Sequence, residues 1–138
     1  MNRQEVYRMN TLMKQDTRLF FLTCLRYLFG LWLLFVGLSK VVGGATGFVG
    51  YIEGEFAATW LPALLVTIAA WLILAAENLI GLWLLIGRSQ RAAWLAAALL
   101  MFVLLFGKTV TRDFATVANN WQYLLLCLGA AAWTRPEE

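Results

Sequence analysis

The chain has 138 residues, 62% of them hydrophobic and only 14% charged, with a net charge of +3. Such a balance is too apolar for an ordinary soluble domain and points to one all-α membrane domain. The basic residues flank apolar runs and do not alternate with aromatics, which argues against nucleic acid as a partner. There is no histidine, so a self-contained bis-imidazole haem site or a usual zinc site is excluded.

Residues 1–18 carry Arg3, Arg8, Lys14 and Arg18 among Val6, Met9, Leu12 and Met13 at roughly helical spacing. This pattern predicts a short basic amphipathic helix on the membrane surface. A four-helix transmembrane domain is expected over residues 19–134, with spans at about 19–42, 63–86, 92–111 and 120–133, and residues 135–138 as a tail. The first apolar run is too long for a signal-peptide core and is expected to remain as a span.

Within that first span Arg26, Gly30, Leu33, Gly37 and Lys40 fall near one helical face, where the glycines permit close approach of another helix. Arg26 lies ~12 Å into the membrane from Arg18, whereas Lys40 reaches the opposite interface. The glycines of residues 43–62 break the span. Phe48, Val49, Ile52, Phe56 and Trp60 keep this loop apolar, so a short interfacial helix ended by Leu61 and Pro62 is expected there, with Glu53 and Glu55 facing water.

The second span contains the most informative pair of residues, Glu77 and Asn78. A carboxylate in an apolar run must be neutral, paired or facing a polar cavity, because an isolated charge there costs a few kcal/mol at least. Glu77 shares a stripe with Gly81, which directs it at the bundle and not at lipid. Arg88 and Arg91 mark a tight connection to the third span, and Asn119 and Asn120 precede the fourth, where Asn120, Tyr123 and Cys127 share a face. Cys24 and Cys127 form no CxxC motif, which argues against dithiol chemistry. Trp60, Trp121 and Trp133 suit an aromatic belt. With the amino terminus inside, Arg3, Arg8, Lys14, Arg18, Arg88, Arg91 and Arg135 lie on the inner side against Lys40, Lys108 and Arg112 outside. That bias puts both termini in the cytoplasm.

Counted from the cytoplasmic ends of their spans, Arg26 and Glu77 have similar depths, ~12 and ~14 Å, so an ion pair between them is expected. Two roles stay open for it: fixing helix register, or lining a pocket with Asn78, Tyr123 and Cys127. A pocket holding Arg26, Glu77, Asn78 and Tyr123 suits a quinone or another lipid, although no cofactor is evident and nothing here carries electrons alone. No catalytic motif and no metal ligand set is evident either.

Several of these residues carry a resemblance. LRYLFG with Arg26, GLSK with Gly37 and Lys40, ENLIGLWLLIGRSQR with Glu77, Gly81, Gly87 and Arg88, and NNWQY with Asn119 and Asn120 together resemble the DoxX family over about residues 18–134. The resemblance implies a four-helix bundle in the bacterial inner membrane, associated with redox or sulfur metabolism. Two readings of function follow from it: an accessory, non-catalytic subunit of a quinone-linked membrane complex, or an assembly factor for a partner membrane protein. Small-molecule or proton transport is a third. The expected partners are the lipid bilayer and other membrane subunits, or further copies of the chain.

Overall fold

The computed structural model describes residues 2–136, so Met1 and the end of the expected tail lie outside the described residues. Five helices follow in order: α1 (Arg3–Val42), α2 (Ala45–Phe56), α3 (Ala63–Ile86), α4 (Gln90–Val110) and α5 (Phe114–Trp133). Among the described residues there is no strand. Helices α1, α3 and α4 are long and apolar enough to cross a membrane. Their outer faces leave Phe20, Phe35 and Leu64 more than two thirds exposed, a surface that suits lipid and not water.

The amino-terminal tail is not a separate element. Residues 3–42 form one helix of 40 residues, ~60 Å long, because neither proline nor glycine interrupts the chain between Asn2 and Gly30. The break comes at Gly43 and Gly44. Gly43 closes α1 through its N–H on the Ser39 carbonyl, and Gly44 turns the chain with φ of 107°, a value L side chains rarely adopt. Pro62 then precedes α3, where its missing N–H costs no helical bond.

Two kinds of packing hold the helices together. Where α1 meets α3, Gly30 and Gly81 bring the backbones into contact: a Cβ on Gly81 would lie 2.8 Å from the Leu34 nitrogen and 3.0 Å from the Gly30 carbonyl oxygen. Small residues also line the α4–α5 contact, with Ala97, Ala98, Cys127, Ala130 and Ala131 all buried. Between α1 and the α4–α5 pair the gap is wider, and rings fill it. Phe29 packs on Trp94 with centroids 5.6 Å apart, and Trp32 stacks on Tyr123 at 4.9 Å. At one end of the bundle the Arg18 guanidinium donates to the Trp133 carbonyl at 2.7 Å, so the end of α5 lies beside α1.

Helix α5 begins at Phe114, earlier than the apolar run suggests, because Asp113 caps it. One carboxylate oxygen accepts from the Thr116 N–H at 3.2 Å and the other from its hydroxyl at 2.6 Å. Asn119, Asn120 and Gln122 interrupt the apolar run of α5, which is not among the helices apolar enough to cross a membrane by length and composition.

Candidate functional site

The antiparallel contact of α1 and α3 places Arg26 against Gly87, Gly30 against Gly81, Gly37 against Asn78, and Lys40 against Glu77. This register decides which cation meets the acid. Lys40 Nζ lies 2.6 and 2.7 Å from the two oxygens of Glu77, and the ring of Phe48 from α2 covers the ammonium at 4.5 Å. Glu77 is 3% exposed and is the only charged side chain buried among the described residues. It lies fourteen residues after the start of α3 and nine before its end, or ~21 and ~14 Å by helical rise, well inside the apolar segment.

The expected pair of Arg26 with Glu77 is therefore replaced by Lys40 with Glu77. The depth count took Arg18 as the edge of the first span, but α1 continues past it without a break. Arg26 consequently lies level with the α3–α4 turn, ten residues beyond Glu77 along α3, or ~15 Å away. Lys40 was the residue missed. It already shares a helical face with Gly30 and Gly37, which was the available signal that it faces another helix and not the opposite interface.

The other expected site residues are dispersed along α1. Asn78 packs its amide against Gly37 and donates to the Leu74 carbonyl at 2.8 Å, leaving its buried Oδ1 without a partner. Tyr123 stacks on Trp32 and is 37% exposed. Arg26 and Lys40 are fourteen residues apart, ~21 Å along the helix, so these groups do not converge on one cavity. The described cavities lie elsewhere: beside Arg18 and Trp133, between α2 and the start of α3, along the outer groove of α3 and α4, and at the start of α1. Cys24 and Cys127 are both free thiols.

A second polar cluster ties α2 to its neighbours. Lys108 Nζ lies 2.8 Å from Glu55 and 3.6 Å from Asp113, and the Thr67 hydroxyl donates to Glu53. Both acids are thus engaged, because α2 packs on the first half of α3 and reaches the end of α4; Glu53 stays exposed as expected, whereas Glu55 is partly buried. Hydrogen bonds from the Thr116 hydroxyl and N–H hold the Asp113 carboxyl below its usual range. Stabilisation from such a lowered group is present above the unfolded pKa of ~4 and is lost as pH falls through the folded value. Acid melts in detergent should show it. Asp113→Asn keeps one acceptor oxygen for the cap but loses the second acceptor and the charge beside Lys108, so it should lower stability slightly at pH 7 and remove this part of the loss below about pH 4.

A family model described as "Methylamine utilisation protein MauE" matches residues 18–119, from the apolar part of α1 into the first turns of α5. The chain belongs to the MauE family. This corrects the resemblance to DoxX: glycine-broken apolar helices with a few polar residues between them are common to small membrane bundles, and motifs of that kind do not separate one such family from another. MauE membership and the three apolar helices together make this a membrane protein. Comparisons with curated proteins and with solved structures give no match.

Proposed function

We propose that this MauE-family chain is a membrane-embedded accessory protein of methylamine utilisation, which works by holding or serving partner proteins and not through a reaction of its own. The observation that carries this reading is the closed state of the one acid buried among the described residues. Glu77 is neutralised through both oxygens by Lys40, and no other charged group is buried beside it. A carboxylate bonded in this way is poorly available to exchange protons with a substrate. The family description supplies the pathway.

In this proposal α1, α3, α4 and α5 all cross the bacterial inner membrane and both termini are cytoplasmic. The contact between Arg18 and Trp133 supports it, since it returns the end of α5 to the α1 side, and so does the excess of basic residues there. The test is a deletion strain and a tagged full-length chain. Deletion should abolish growth on methylamine, and mild-detergent purification from methylamine-grown cells should recover a stoichiometric partner. Normal growth of the deletion strain, or a chain that purifies without any partner, would overturn the reading. Substoichiometric capture of folding intermediates would instead assign it to partner assembly.

A further inference from the structure

Arg26 remains without the acid expected for it. Residues 17–52 and 78–112 contain no aspartate or glutamate, so neither the part of α1 around Arg26 nor the α3–α4 turn offers a carboxylate. The guanidinium packs directly on Gly87 and lies over the ring of Tyr27 at 4.6 Å, and its buried Nε has no hydrogen-bond partner. One nearby acceptor is already engaged, because the Arg88 carbonyl takes the Trp83 indole N–H at 2.8 Å. Arg88 in this turn and Arg91 at the start of α4 are both exposed. The carboxy-terminal end of α3 offers a partial charge of roughly −0.5, which does not balance three guanidinium groups.

We propose that this corner binds the phosphate of an anionic phospholipid, with Arg26 as the inner ligand and Arg88 and Arg91 as the outer ones. A guanidinium presents paired N–H donors that match two phosphate oxygens, and an Nε without an acceptor is one half of such a fork. Lipid is favoured over soluble phosphate by the neighbouring apolar surface. Ile86, next to the turn, is 64% exposed and Leu82, one turn before it on the same face, is 47% exposed, where acyl chains would lie. A basic pocket between membrane helices is a recurrent means of holding acidic headgroups. The inference rests on the membrane location and not on the accessory role.

The test uses the full-length chain, washed free of lipid in mild detergent, with phosphatidylglycerol, phosphatidylcholine and inorganic phosphate as probes. Native mass spectrometry and thermal melts are the readouts. The expected result is one retained phosphatidylglycerol per chain, a rise in melting temperature, and about a tenfold preference over phosphatidylcholine. Arg26→Gln should remove the preference and Arg26→Lys should restore only part of it, since lysine lacks the planar fork. The Arg88→Gln, Arg91→Gln double variant changes exposed positions only, so it should fold and lose part of the preference even if Arg26→Gln does not fold. Equal binding of the two lipids, an unchanged preference in these variants, or the same loss in a Lys14→Gln control would overturn the proposal. A stabilisation by inorganic phosphate as large as that by phosphatidylglycerol would overturn the lipid assignment.

Discussion

Replacing Lys40 by methionine is expected to destabilise the protein by about 3–5 kcal/mol, because it leaves Glu77 buried at 3% exposure without its counter-charge. Glu77→Gln should cost less. Its partner Lys40 is 24% exposed, and a long flexible side chain can carry its ammonium outward when the acid is gone. Adding Glu77→Leu to Lys40→Met should return most of the lost stability, since a well-packed apolar pair replaces an ion pair with little net change. Unfolding in mixed detergent micelles, followed by tryptophan fluorescence, measures these variants together with the single Glu77→Leu, which completes the four corners of the cycle. Additive costs in the double variant would show that the two side chains act independently. The double variant also separates structure from function: if it folds and supports growth on methylamine, the pair serves only to align α1 with α3.

Gly81→Ala should be the second severe substitution. The new Cβ would meet backbone atoms of α1, the Leu34 nitrogen at 2.8 Å and the Gly30 oxygen at 3.0 Å, and neither can move without the whole helix. Overpacking of this kind costs about 1–3 kcal/mol, and a rigid backbone neighbour favours the upper end. Gly37→Ala is tighter by distance, at 2.7–2.9 Å, but every atom it meets belongs to the Asn78 amide, which can rotate. Its cost should be nearer the ~1 kcal/mol of the one hydrogen bond that rotation breaks, from Asn78 to the Leu74 carbonyl. The same unfolding assay compares the two variants. A Gly37→Ala loss equal to that of Gly81→Ala would mean that side-chain clash, and not backbone separation, limits this interface. Because Glu77 lies one turn from Gly81, separating the helices there should also weaken the bond to Lys40.

The sequence by itself determined the helical class, the apolar run that becomes α3, the break after Val42 and the presence of an acid that must be compensated. These follow from local causes: uninterrupted apolar residues favour helix in the absence of water, Gly43 and Gly44 end one, and a carboxylate among leucines is costly wherever the chain places it. What only the tertiary structure decided was the partner of that acid. Arg26 and Lys40 share a helical face, so sequence spacing allowed either, and the choice depends on how far α1 slides along α3. The contact of Gly30 with Gly81 sets that slide, aligning Lys40 with Glu77 and carrying Arg26 to Gly87. The engagement of Glu53 and Glu55 was likewise a tertiary matter, since it requires α2 to pack on α3 and Lys108 to come from the far end of α4. Contacts of this kind join residues up to 53 positions apart, and no local pattern of charge or hydrophobicity encodes the distance between them.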